Sequence, residues 1–167
     1  MAVTRTDPKT ERLRSWRAFL RAHAAVTREL NADLVARDGL TINDYEVLLL
    51  LSRAEERKMR RVDLAARVLL TPSGITRLLD GLERCGFVER AECATDRRVT
   101  YAKLTDAGLA KLREAARGHL SRIDELFLER FSEEERDTLA DLLERLPAVD
   151  GADVDCAPDA ASTSPSS

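Results

Sequence analysis

The sequence predicts a mainly α-helical chain interrupted once by a short β-ribbon. Three observations carry this reading. Apolar residues recur at spacings of three and four through most of the chain, the period of a single buried helical stripe. Charged residues make up 34% and aromatics only 4% of the 167 residues, a composition suited to helices built on Leu and Ala. The exception lies at Phe87–Glu92 and Val99–Leu104, two strand candidates flanking a polar turn at Ala94–Arg98.

The first helix is expected from Asp7-Pro8, with Asp7 as cap and Pro8 at the first helical position. Its stripe is Leu13, Trp16, Leu20, His23/Ala24, Thr27, Leu30 and Leu34, and Asp38-Gly39 ends it. Thr41-Ile42-Asn43-Asp44 has the form of a capping box with Asp in place of Glu. Behind it Tyr45 and Val47 to Leu51 make an almost wholly apolar helix, expected at the centre. Arg53 to Lys58 is polar and reads as a loop. Asp63 to Val68 is a short helix with Leu64, Ala65 and Val68 inward. It has no Ser or Thr cap, and Val62 stands where one would help.

Thr71-Pro72 begins the next helix, expected over 72–85 and closed by Cys85-Gly86. At the helical repeat Ile75, Leu78, Leu79 and Leu82 share one face, and Ser73, Thr76, Arg77, Asp80 and Arg84 share the other. Thr105-Asp106 caps a long helix with the stripe Leu109, Leu112, Ala116, Leu120, Ile123 and Leu126/Phe127. Ser132-Glu133-Glu134-Glu135 is a capping box, and the helix after it carries Leu139, Leu142, Leu143 and Leu146 before Pro147. Residues 148–167 are rich in Asp, Ala, Ser and Pro, cannot offset their ordering entropy, and are expected to be a disordered acidic tail.

Composition excludes several classes. Three cysteines, an odd number, argue against a disulfide-stapled secreted fold. No apolar run approaches the roughly 20 residues of a membrane span. The first residues lack the apolar core of a signal peptide, so a cytoplasmic protein is expected. No Ser-His-Asp arrangement, P-loop or GxGxxG is present, and no enzyme is expected. His23, His119, Cys85 and Cys93 show no metal-ligand spacing, so no metal or other cofactor is expected.

Net charge is −3, but it is unevenly spread. Arg53 to Lys103 holds 12 Lys/Arg against 8 Asp/Glu, whereas Glu133 to Ser167 holds 10 acids against 2 bases. A basic middle can bind phosphate locally in an acidic protein. That middle also holds two short helices joined by Leu69-Leu70-Thr71-Pro72, a candidate helix-turn-helix. The second helix places Ser73, Gly74 and Thr76 near its N-terminus, where hydroxyls can bond phosphates or base edges and a glycine permits close approach. Arg77, one turn in, can reach a guanine edge or a phosphate. Arg97 and Arg98 sit at the hairpin tip, where a guanidinium can enter a narrow minor groove. Asp96 can pin one of them in an extended pose. An amphipathic helix or a basic hairpin tip alone is usually only a solvated surface; in this order and spacing the two favour double-stranded DNA as partner.

These residues carry a family resemblance. Gly39-Leu40-Thr41, Tyr45-x-Val47-Leu48, Leu64-Ala65, Thr71-x-Ser73-Gly74-Ile75-Thr76-Arg77-Leu78-x-Asp80-x-Leu82-Glu83, Gly86-Phe87-Val88 and Asp96-x-Arg98 followed by Leu104-Thr105-x-x-Gly108 resemble the MarR family of winged-helix transcription regulators, over about residues 11 to 146. The resemblance implies a homodimer on a pseudo-palindromic operator near its own gene, with repression as the family default. It implies a dimerisation region at 8–38 and 106–147, a winged helix-turn-helix at 41–105, and a wing at 93–99. Thr71, Ser73, Gly74, Thr76 and Arg77 then belong to the recognition helix, Arg98 enters the minor groove, Asp96 is its partner and Arg97 its neighbour. The long stripes at both ends of the chain support a dimer on their own, since one small wing domain cannot cover them all.

Family members often bind small aromatic or phenolic molecules between the dimer helices and the DNA-binding lobe. Trp16, Phe19, His23, Tyr45 and Glu46 combine ring surface with polar handles and are the candidate walls of such a pocket. Trp16, Glu46 and Arg77 loosely echo a urate-responsive branch, with Glu for its Asp; the plainer reading is Trp16 and Tyr45 in core or dimer packing and Glu46 solvated. A cysteine-redox regulator of the same fold is the alternative, with Cys93 at the wing base expected exposed, Cys85 expected buried and Cys156 incidental in the tail. A non-catalytic winged-helix module for protein contact is the other.

Overall fold

The structure, a computed structural model, describes residues 11–92 and 100–147. The cap at Asp7-Pro8, the hairpin tip with Cys93, Asp96, Arg97 and Arg98, and the tail with Cys156 lie outside the described residues. The elements run α1 (Arg14–Asp38), α2 (Ile42–Arg53), a 3₁₀ turn (Glu55–Arg57), β1 (Lys58–Arg60), α3 (Arg61–Arg67), α4 (Pro72–Arg84), β2 (Val88–Glu92), β3 (Thr100–Leu104), α5 (Asp106–Leu126), a second 3₁₀ turn (Leu128–Arg130) and α6 (Glu133–Leu143). The chain is mainly α with a small antiparallel sheet in the order β1-β3-β2.

Capping residues set most of the boundaries. Gly39 closes α1 in the left-handed region at φ 68°, and its amide returns to the Val35 carbonyl. Thr41 and Asp44 form a reciprocal capping box, as do Ser132 and Glu135 at α6. α2 is central as expected: Tyr45, Val47, Leu48, Leu49 and Leu51 are all buried. Around it pack Leu34 of α1, Leu64 of α3, Ile75, Leu79 and Leu82 of α4, Leu104 of β3 and Leu112 of α5, one continuous core. Full burial of each large apolar side chain is worth roughly 1.5–3 kcal/mol, so α2 is the element that holds the long helices to the small lobe.

Three expectations are corrected. Lys58 belongs to a strand, not a loop: β1 adds to the sheet through Lys58↔Lys103, Met59↔Ala102 and Arg60↔Tyr101. The residue at the N-cap of α3 is Arg60, not Val62. Arg60 gives no side-chain cap, but Asp63 in the first turn favours the helix dipole and holds Arg60 at 2.7 and 3.0 Å. Val62 lies within the helix and is 69% exposed. Cys85, expected on the apolar side, is exposed: α4 ends at Arg84 and Cys85 is its C-cap residue.

The turn after α4 fixes the wing to the long helix α5. Gly86, at φ 76°, lets its amide reach the Glu83 carbonyl and the Phe87 amide reach Leu82, which closes α4. The Thr105 amide then donates to the Phe87 carbonyl at 3.1 Å, and its hydroxyl donates to the Gly86 carbonyl at 2.7 Å. The same hydroxyl oxygen accepts from Gly108 N and caps α5. Gly108 packs so tightly here that a Cβ would lie 2.1 Å from the Phe87 carbonyl oxygen.

The apolar stripe of α1 divides. Leu30 and Leu34 are buried, whereas Leu13, Trp16, Phe19 and Leu20 are 40% to 54% exposed. α6 buries nothing, and Leu142, Leu143 and Leu146 are likewise open.

Candidate nucleic-acid interface

α3 and α4 form the helix-turn-helix. The connecting turn uses Leu69 in the left-handed region, at φ 54°, and the Leu70 amide returns to the Ala65 carbonyl at 2.9 Å. Thr71 caps α4: its Oγ1 accepts from Gly74 N at 3.1 Å and lies 3.2 Å from Ser73 Oγ. Pro72 takes the first helical position, where its missing N–H leaves nothing unpaired. The buried face is Ile75, Leu79 and Leu82, with Leu78 half-buried. The opposite face exposes Ser73, Thr76, Arg77 and Arg84.

Local bonding refines what each of these groups can offer a ligand. The Thr76 hydroxyl donates to the Pro72 carbonyl at 2.8 Å, so it presents lone pairs and a methyl group outward. A Cβ on Gly74 would meet Thr71 Oγ1 at 3.2 Å and Leu70 Cβ at 3.6 Å; the missing side chain faces the turn and serves its packing. Thr71 is occupied as a cap. Ser73 Oγ shares a hydrogen bond with the Thr71 hydroxyl, and Arg77, which makes no ion pair with any described residue, is left as the group that can reach outward.

One constellation was not visible from residue spacing. Arg90 on β2 reaches back to α4, its Nε 3.0 and 2.9 Å from the two Glu83 carboxylate oxygens and its Nη2 2.8 Å from Asp80 Oδ1. The Glu83 carboxylate, and after it Asp80, holds this guanidinium still more firmly protonated than usual. Among the other basic side chains of the lobe, Arg57 pairs with Asp106 at 2.8 Å and Lys103 with Glu89 at 3.0 Å.

This geometry is shared with proteins of known class. Residues 38–99 match the model of the MarR family. The chain is 39% identical over 112 residues to the HTH-type transcriptional repressor YetL of Bacillus subtilis, which covers 65% of this chain and 66% of that protein. AbsC, a MarR family transcriptional regulator from Streptomyces coelicolor, superposes with a TM-score of 0.74 at 33% identity over 84% of this chain and 94% of its own. The chain belongs to the MarR family. As a member it is a DNA-binding helix-turn-helix transcription regulator, and not an enzyme. Sco3205, a further MarR family regulator from the same Streptomyces, was crystallised in complex with DNA and superposes with a TM-score of 0.75 at 27% identity over 86% of this chain and 89% of its own. No helix among the described residues is long and apolar enough to cross a membrane.

The candidate effector residues of this MarR-family chain divide between two places. Trp16, Phe19 and His23 follow one another along α1, with the Trp16 and Phe19 rings stacked at 6.1 Å and the Phe19 and His23 rings tilted at 6.2 Å. They line an open apolar groove of about 790 Å³ whose other wall is Phe127, Phe131, Leu139, Leu142, Leu143 and Leu146. Phe127 and Phe131, in contact at 5.4 Å, are wall residues that sequence reasoning passed over. Tyr45 and Glu46 do not line this groove. Tyr45 is buried with its ring 4.5 Å from that of His119 on α5. Glu46 is half-buried, and burial pushes its carboxyl above the ordinary range. His119 is itself buried, with Nδ1 unpartnered among the described residues; burial pushes its pKa down, against the pull of Asp33 and Asp38.

Proposed function

We propose that the chain works as a homodimeric repressor on a pseudo-palindromic operator, with α4 in the major groove and the wing at 93–99 in the adjacent minor groove. The observation that carries the DNA reading is the outer face of α4: a helix held to the core by Ile75, Leu79 and Leu82 presents Ser73, Thr76 and Arg77 to solvent at its N-terminal end. That is the end of a helix-turn-helix that reads bases, and the helix dipole favours phosphate there. YetL is named a repressor, and the Sco3205 structure contains DNA. By motif position Arg98 is the minor-groove arginine, Asp96 its partner and Arg97 its neighbour.

The dimer rests on the open groove. Trp16 and Phe19 on one wall and Leu142, Leu143 and Leu146 on the other, with Leu13 and Leu20 also exposed on α1, form a patch of a kind that soluble monomers rarely expose. A second copy covers it with the same elements in exchange, and two α4 helices are then set about one DNA turn apart, roughly 34–36 Å. A small aromatic or phenolic effector suits the Trp16, Phe19 and His23 stretch of the groove. By favouring a different spacing of the two lobes it releases DNA by linkage.

The test is a gel shift with duplex DNA from upstream of the gene, across a salt series, comparing wild type with Arg77→Ala and Arg98→Ala. Binding that weakens with salt, and a salt slope lowered by about one for each arginine that contacts phosphate, supports the reading. Failure of the wild type to bind that DNA at any salt sinks it. A melting-temperature screen of aromatic acids and phenols, with a gel shift for any hit, tests the effector class.

A further inference from the structure

We propose that Arg90 is a positioning residue for DNA binding: it clasps Asp80 and Glu83, removes two carboxylates from the DNA-facing helix, and locks the wing ribbon to that helix. The inference rests on the reading of α4 as the recognition helix.

At about 100° per residue, Asp80 falls between Ser73 and Thr76 on the polar face of α4, in the middle of the surface turned toward DNA. Its carboxylate there opposes phosphate. Within α4, Arg77 and Arg84 are balanced by Asp80 and Glu83, so the helix brings no net charge of its own. Arg90 supplies the missing cation from a different element. Strand alternation puts Arg90 on the same face of β2 as buried Val88, which aims it at α4. Its planar fork then meets both carboxylates at once, Nε on Glu83 and Nη2 on Asp80.

Surface ion pairs add little to stability, and Arg90 and Asp80 are 56% and 41% exposed. The value of this clasp lies elsewhere. Glu83 is three residues beyond Asp80 on α4, and Arg90 is two residues into the wing strand, so the three side chains fix the angle between helix and ribbon. Groove-to-groove docking needs that angle set before DNA arrives, since an ordered fork lowers what must be ordered on binding.

The experiment compares wild type, Arg90→Ala, Arg90→Lys, the double variant Asp80→Asn/Glu83→Gln, and the triple variant, by affinity for duplex DNA from upstream of the gene and by melting temperature. The clasp predicts that Arg90→Ala binds at least tenfold more weakly while Arg90→Lys recovers part of the loss. It also predicts that Arg90→Ala does far less harm when Asp80 and Glu83 are already amides. Equal losses with and without the carboxylates would show that Arg90 touches DNA itself, and unaltered binding by Arg90→Ala would show that it does neither; both overturn the proposal. Should wild type bind none of this DNA, the operator reading fails, and the clasp is decided by the melting temperatures: coupling between Arg90→Ala and the double variant supports it, and additivity overturns it.

Discussion

Replacing Gly108 by alanine tests the joint between the wing and α5. The new Cβ would lie 2.1 Å from the Phe87 carbonyl oxygen, 2.9 Å from its carbon and 2.8 Å from Leu104 Cδ1. The oxygen cannot withdraw freely, because it accepts from the Thr105 amide, and the Phe87 amide is itself held by Leu82. Relief needs a backbone shift of about 1 Å at the start of α5. Overpacking of this kind costs about 1–3 kcal/mol, and a clash with backbone belongs at the upper end. Alanine returns about 1 kcal/mol of helix propensity. The net loss is about 2 kcal/mol, or a fall of about 4–8 °C in melting temperature for a chain of this size. Gly81→Ala is the control: its Cβ would meet only Arg84 Nη2, at 4.0 Å, so propensity alone acts and the melting temperature rises by a few degrees. The assay is thermal unfolding by circular dichroism at one fixed protein concentration, since a dimer melts in a concentration-dependent way. If Gly108→Ala melts at or above wild type, the close approach of α5 to Phe87 is not as described.

Three further outcomes are expected. The His119 pKa is pushed down by burial, so the unfolded chain takes up a proton that the folded one resists; stability is full above the ordinary imidazole value of 6.5, falls as pH drops through it, and His119→Gln flattens that part of the melting profile. An unchanged slope in the variant removes His119 as its source. Thr71→Ala loses the cap of α4 and about 1 kcal/mol, whereas Thr71→Ser keeps it, as chemical denaturation of the three proteins will register. Leu142→Glu places a charge in the open groove and converts a dimer to a monomer in analytical ultracentrifugation with circular dichroism unchanged; a monomeric wild type would instead refute the dimer.

Local chemistry made much of this fold legible. Thr41 with Asp44, Thr71 with Pro72, Thr105, and Ser132 with Glu135 state in a few adjacent residues where helices begin, and each cap is found in place. The two-faced pattern of α4 is equally local, so its exposed Ser73, Thr76 and Arg77 could be named from spacing. What escaped depends on partners distant in sequence. β1 is three residues long and polar, follows Glu56 and Arg57 in positive φ, and exists as a strand because β3 is there to pair with it. Arg90 reaches seven and ten residues back across a turn, beyond any helical or strand period. Tyr45 reads as a pocket wall by type, but burial against His119 depends on where α5 lies. The α1 stripe gave the same signal along its whole length, although one half faces the core and the other faces outward.

Thr105 has a mechanical meaning beyond its bonds. It is the pivot of a bell crank whose arms are α4 and α5. α5 has 21 residues and is about 30 Å long; α4 has 13 and is about 20 Å. Hydrogen bonds from one threonine to the Gly86 and Phe87 carbonyls leave no slack at the corner. As a rigid corner it would deliver a sideways displacement at the far end of α5 to the far end of α4 about two-thirds as large, as a swing of the whole arm. In such a linkage a displacement would lose amplitude and be turned through the angle of the corner.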